Sequence, residues 1–127
     1  MKSVVLIDDD AVTNFVNTRL LLKTQLVGQV HSIQSTEEAL EYFGEISAGK
    51  EPNPFLVLVD IRMPIMDGFT LADEIFTRYP DLRGKSLVYF LSSSLDPKDE
   101  DRATSLGFCS GFLRKPLSMA TLEEMLR

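Results

Sequence analysis

The sequence predicts a doubly wound α/β fold, with five parallel strands in one sheet and helices on both faces. Three observations carry that expectation. Short runs rich in Val, Ile, Leu and Phe alternate with stretches of helical apolar spacing, five times along the chain. The strongest of these runs are continuously apolar, as strands covered on both faces must be. Strict βα alternation implies right-handed crossovers between parallel strands, which puts helices on both sides of the sheet. With 127 residues, the chain is read as one domain, 1–127, large enough for a single core and too short for an eight-stranded barrel.

The elements follow in order. Ser3–Ile7 (SVVLI) is a β-branched run that stops at Asp8-Asp9-Asp10. Val12, Phe15, Val16, Leu20 and the leucines from Leu22 to Leu26 recur near helical spacing, so residues 11–25 are expected to form an amphipathic helix. Gly28–Ile33 reads as a strand nearer the sheet edge. Ser35 followed by Glu38 is a capping-box pattern opening a helix to about Ser47. Gly49–Pro54 is a loop, and Phe55–Val59 (FLVLV) is the most continuously apolar strand.

Asp67 is placed to cap a helix to Arg78, which Tyr79-Pro80 stops. Ser86–Leu91 is a further buried strand ending in Ser92, Ser93 and Ser94. Asp96-Pro97 pairs a cap residue with proline at the first helical position, opening a helix over 96–106 that ends near Gly107. Phe108–Leu113 is the last strand, and Ser118–Leu126 the last helix. Five such units correspond to a flavodoxin-like (βα)5 arrangement with strand order 2-1-3-4-5.

Composition narrows the function. Acidic residues outnumber basic ones by 19 to 13, a net charge of −6, which opposes sequence-independent nucleic-acid binding. No apolar segment approaches the roughly 20 residues that span a bilayer, so no membrane association is expected. Cys109 is the single cysteine, which excludes an internal disulfide and suits a reducing cytoplasm. A cytoplasmic location follows as an expectation.

The chemistry lies at the strand ends. Asp8 and Asp9 end the first strand, Asp60 follows the third, Ser92 follows the fourth, and Lys115 comes just after the fifth. In a parallel sheet these ends share one edge, where open α/β folds bind their ligands. Three carboxylates in one pocket repel, and a hard divalent cation such as Mg²⁺ relieves that repulsion. A lysine and a hydroxyl beside them suit the oxygens of a phosphoryl group. Phosphoryl transfer onto Asp60 as nucleophile is the chemistry this set favours.

The segments VVLIDDD, FLVLVDIRMPIMDG, VYFLSSS and GFLRKP, in this order and spacing, resemble the response-regulator receiver domain of two-component signalling over essentially the whole chain. The resemblance implies that Asp60 accepts a phosphoryl group from a phosphohistidine on a sensor histidine kinase or a histidine phosphotransfer protein. It implies Mg²⁺ held by Asp9 directly, by Asp8 mainly through water, by Asp60, and by the backbone carbonyl of Arg62. Ser92 and Lys115 would contact the phosphoryl oxygens, and Phe112 would be the aromatic switch. The Lys115–Pro116 peptide is often cis in similar proteins, while Arg62 and Ser94 occupy positions that tune the lifetime of the phosphoryl group. The switch would alter the surface of helix 96–106, strand 108–113 and the last helix for a downstream effector protein. With no output domain after Arg127, a stand-alone module is expected, a phosphoacceptor rather than an enzyme.

Plainer roles are assigned elsewhere. Asp10 and Asp67 are read as helix caps, His31 and Cys109 as structural, and Met63, Met66, Met119 and Met125 as packing residues. Two alternatives compete. One is a haloacid-dehalogenase-like phosphatase with Asp8 as nucleophile and Asp10 as acid, which leaves Asp60 without a role. The other is a receiver-like binding module that is never phosphorylated.

Overall fold

The computed structural model describes residues 2–93 and 96–127. Its elements are β1 (Lys2–Ile7), α1 (Ala11–Lys23), β2 (Val27–Ile33), α2 (Thr36–Ser47), β3 (Leu56–Asp60), α3 (Gly68–Arg78), β4 (Leu87–Ser92), α4 (Pro97–Ser105), β5 (Gly111–Arg114) and α5 (Met119–Leu126). A 3₁₀ turn, Pro80–Leu82, follows α3. The five strands form one sheet in the order β2-β1-β3-β4-β5, and every pairing is parallel. This is the flavodoxin-like arrangement expected from the alternation.

β3 is central, and all five of its residues are buried. Val57 and Val59 face a core built with α2, α3 and α4 (Phe43, Ile46, Phe69, Ile75, Ala103). Leu56 and Leu58 face the opposite core with Leu21 of α1 and Leu122 and Leu126 of α5. The period of two along the strand thus feeds two separate helical layers. Caps fix where helices begin: Asp10, Ser35, Asp67, Asp96 and Ser118 each accept a bond from a first-turn backbone N–H.

Two expectations are corrected. β5 begins at Gly111, not at residue 108. Phe108 instead lies on Phe76, with ring centroids 4.5 Å apart, and Cys109 N–H turns back to the carbonyl of Leu106. The aromatic residue seals the exit of α4 rather than entering the ladder. The larger correction concerns α1, which turns the N-terminal part of that apolar stripe outward: Val12 is 70%, Phe15 61% and Val16 54% exposed. The buried face consists of Asn14, Asn17 and Leu21. An apolar count at helical spacing selects the wrong face here, because the inner face is polar beside the strand ends. The helix also ends at Lys23, short of residue 25, since Gln25 adopts a φ of 62°.

Candidate functional site

Register explains why distant residues meet. Ile7 lies opposite Val59, so Asp8 and Asp60 leave adjacent strands at the same level. Asp60 lies opposite Leu91, which sets Ser92 one step beyond, and Ser92 lies opposite Arg114, which sets Lys115 next to it. The Lys115 backbone N–H donates to the Ser92 carbonyl at 2.8 Å, fixing the last of these strand ends. The Lys115–Pro116 peptide is cis, as the resemblance implies.

Lys115 Nζ lies 3.0 Å from Asp8 Oδ2 and 3.0 Å from Asp60 Oδ1. One cation therefore bridges two nearly buried carboxylates, with residue exposures of 3% for Asp8 and 5% for Asp60. Burial pushes the Asp60 carboxyl above the ordinary aspartate range, and the like charge of Asp8 adds to this; Lys115 and the Arg62 backbone N–H act in the opposite direction. Burial alone would lower the Lys115 pKa, but its bonds to Asp60 and Asp8 outweigh that and raise it. Lys115 is held charged.

Asp9 is exposed at the rim. Asp8, Asp9 and Asp60 offer carboxylate oxygens that all lie within 4.8 Å of one another. Oxygen-only donors, several of them anionic and one open to solvent, suit a hard divalent cation that retains waters. Ser92 is 1% exposed at the end of β4. Ser94 lies outside the described residues. Phe112, in β5 opposite Phe90, is half-buried against the core shared with α2–α4.

Arg62 reaches toward α4 with its side chain. Its backbone stays at the pocket, but its guanidinium lies 2.9 Å from Asp99 Oδ2 on α4. Asp67 is a cap, as expected, donating nothing and accepting from Thr70 N–H; it also pairs with Arg102 of α4 at 2.9 Å. Asp10 likewise caps α1, accepting from Val12 N–H and the Thr13 hydroxyl. Its carboxylate is thus engaged by the helix, away from the acid role that the phosphatase alternative needs.

Three contributors escaped sequence reading. Gly68, the first residue of α3, sits so close to β3 that a Cβ there would lie 2.2 Å from the Asp60 carbonyl oxygen. Asp99 is a buried acid on an otherwise polar helix. Asn14, on the inner face of α1, donates to the Asp8 carbonyl at 2.9 Å. Only Gly68 had a visible signal, a glycine directly after a capping aspartate. A shallow groove of about 380 Å³ runs from the pocket rim along α1, lined by Val12, Val16, Asn17, Lys115 and Pro116 among others.

The family model for the response regulator receiver domain matches residues 4–127. The two-component response regulator ORR1 of Oryza sativa subsp. japonica is 30% identical over 124 residues, covering 96% of this chain and 52% of that protein. The chain thus spans about half the length of that curated relative. Among solved structures, a two-component response regulator from Cytophaga hutchinsonii superimposes with a TM-score of 0.88 at 34% identity, covering 97% of this chain and 92% of that one. A response regulator receiver protein from Dyadobacter fermentans gives 0.83 at 26% identity, with 98% and 94% covered. Sequence, sheet order and strand-end chemistry agree, and the chain belongs to the response regulator receiver domain family of two-component signalling.

Proposed function

We propose that this receiver domain is a Mg²⁺-dependent phosphoacceptor switch in which Asp60 takes a phosphoryl group from a partner's phosphohistidine. The observation that carries the reading is the single lysine bridging Asp8 and Asp60 at 3.0 Å beside an exposed third carboxylate. An Asp60 carboxylate oxygen attacks phosphorus in line, the O–P bond forms as the N–P bond of the phosphohistidine breaks, and the leaving imidazole takes a proton from solvent. Lys115 follows the new charge, exchanging a carboxylate oxygen for a phosphoryl oxygen, and the Ser92 hydroxyl donates to another. Asp8, Asp9, Asp60 and the Arg62 carbonyl would hold Mg²⁺, which when bound neutralises charge building on the phosphoryl oxygens.

The protein acts on itself rather than on a released substrate: transfer and later hydrolysis both occur at Asp60. Movement of Ser92 and Lys115 toward the phosphoryl group draws on β4 and β5, and half-buried Phe112 has less packing to lose than Phe90, which is fully buried. The resulting change falls on the α4–β5–α5 surface, where an effector reads it. The donor, a sensor histidine kinase or histidine phosphotransfer protein, meets the exposed apolar face of α1 that adjoins the pocket. A cytoplasmic setting suits this relay; among the described residues no helix is long and apolar enough to cross a membrane.

The test is incubation with acetyl phosphate and Mg²⁺, followed by intact mass. One phosphoryl group is expected in the wild type and none in Asp60→Asn. Absence of the adduct in the wild type points to a binding module that is never phosphorylated, and an adduct persisting in Asp60→Asn refutes the nucleophile.

A further inference from the structure

Asn14 is 3% exposed, in the first turns of a helix whose outward face is apolar. Its Nδ2 donates to the Asp8 carbonyl at 2.9 Å and lies 3.5 Å from the Ile33 carbonyl. Both neighbours are acceptors, so the amide must present its nitrogen to them, and that orientation is fixed. Its Oδ1 is buried, with no hydrogen-bond partner among the described residues. Buried polar groups are normally satisfied, and an exception calls for an explanation. A leucine would occupy nearly the same volume without the stranded Oδ1, but it would leave the buried Asp8 carbonyl without its donor.

The reason lies in what the amide holds. Asp8 is gripped at each of its polar atoms: its N–H donates to the Ile33 carbonyl at 3.0 Å, Oδ1 accepts from Asp10 N–H at 2.9 Å, and Oδ2 accepts from Lys115. Its carbonyl oxygen is held by Asn14. That carbonyl belongs to the peptide joining Asp8 to Asp9, so rotating it re-aims both side chains at once. Among the described residues the exposed Asp9 carboxylate has no hydrogen bond of its own, so it depends on that peptide for its direction. We infer that Asn14 is a positioning residue: from inside α1 it locks the Asp8–Asp9 peptide, and through it the two carboxylates that are to hold Mg²⁺. This rests on the Mg²⁺ reading above and adds a buried outer residue to it. Such outer partners typically govern metal affinity by 10–100-fold.

Two variants separate the amide from its volume. Asn14→Leu keeps the bulk and removes the donor; Asn14→Ala removes both. Mg²⁺ affinity is read by amide chemical-shift titration of the metal-free protein well below its unfolding midpoint, with thermal unfolding measured alongside. Both variants are expected to bind Mg²⁺ about 10-fold more weakly than wild type or worse, and by similar factors, while Asn14→Leu, which exchanges an unpartnered Oδ1 for an unpartnered Asp8 carbonyl, unfolds close to wild type. Affinity within 2-fold of wild type in Asn14→Leu overturns the inference, as does a loss confined to Asn14→Ala, which assigns the residue to packing. Failure of the wild type itself to bind Mg²⁺ refutes the metal reading instead, and is distinguishable because it appears before any variant is compared.

Discussion

Replacing Gly68 with alanine should destabilise the protein, although helix propensity argues the opposite. Gly→Ala in a helix is worth up to about 1 kcal/mol in favour of alanine, less at a first helical position. Here a Cβ would stand 2.2 Å from the Asp60 carbonyl oxygen and 3.0 Å from its carbonyl carbon. Real contacts of this kind do not fall below 3.0 Å, so at least 0.8 Å of separation is missing, and the obstacle is backbone that no rotamer change can clear. The Gly68 N–H also donates to the Ile61 carbonyl at 2.9 Å, tying the helix start to the same strand end. Overpacking of this sort costs about 1–3 kcal/mol. The clash wins, and a net loss of about 1–2 kcal/mol follows. Urea denaturation measures it, with Gly107→Ala as the control, since nothing lies within 4 Å of a Cβ there and its effect should stay within about 0.5 kcal/mol. Because the displaced atom belongs to Asp60, the proposed phosphoacceptor, its labelling by acetyl phosphate should also slow. A Gly68→Ala protein as stable as wild type, labelled at the same rate, refutes the close-approach argument.

Other consequences concern charge. Asp60 has a raised pKa in the folded state, so its ionisation opposes folding, and stability falls as pH rises from the ordinary value of 3.8 through the raised one. Metal-free Asp60→Asn should therefore unfold at higher temperature than wild type at neutral pH, with the gap closing below pH 3.8 or on adding Mg²⁺; a gap that widens in acid contradicts this. Lys115→Met strands two nearly buried carboxylates and should cost about 2–3 kcal/mol at neutral pH, a loss that Mg²⁺ partly reverses. In wild type the Lys115 contribution is complete below pH 10.5 and disappears as pH rises through its elevated folded value, which an alkaline unfolding series can follow. Arg62→Ala leaves the Asp99 side chain, 12% exposed, without its cation. Since Arg62 itself is largely exposed, screening limits the cost to about 1 kcal/mol, and a double-mutant cycle with Asp99→Asn should show coupling that weakens in high salt.

Most of the fold, and the gathering of the strand-end residues at one site, were legible because both depend on local rules. Continuous apolar runs announced the buried strands, capping residues announced the helices, and parallel topology then carried Asp8, Asp60, Ser92 and Lys115 to one edge without further information. Failures occurred where tertiary context overrode a local pattern. The helical spacing of Val12, Phe15 and Val16 was real, but an inner face that must hydrogen-bond strand-end carbonyls takes asparagine, so the apolar stripe was left outside. Phe108 has strand-like chemistry, yet the end of α4 needed a plug against Phe76. Asp99 carries no local signal among the acids of its helix; its partner is Arg62, 37 residues away in sequence.

That last contact bears on how a charge at Asp60 reaches the rest of the molecule. α4 buries only Asp99 and Ala103, so little of its attachment is apolar. Polar bonds supplement it: Arg62 to Asp99, Arg102 to Asp67, and Arg102 to the Thr70 hydroxyl at 2.8 Å, with the Arg102 guanidinium 5.0 Å from the centre of the Phe69 ring. Each anchor on the far side belongs to residues 62–70, the segment that begins two positions after Asp60. Helices held by burial resist small local changes, because removing apolar contact costs free energy in proportion to area. Helices held by a few charged bonds respond when those bonds are re-aimed by even a fraction of an ångström, since directional bonds weaken steeply with geometry. α4 is of the second kind, and its anchors lie on the loop and first helical turn that follow Asp60. On the proposed reading, a phosphoryl group at Asp60 would act on an element that packing alone does little to hold.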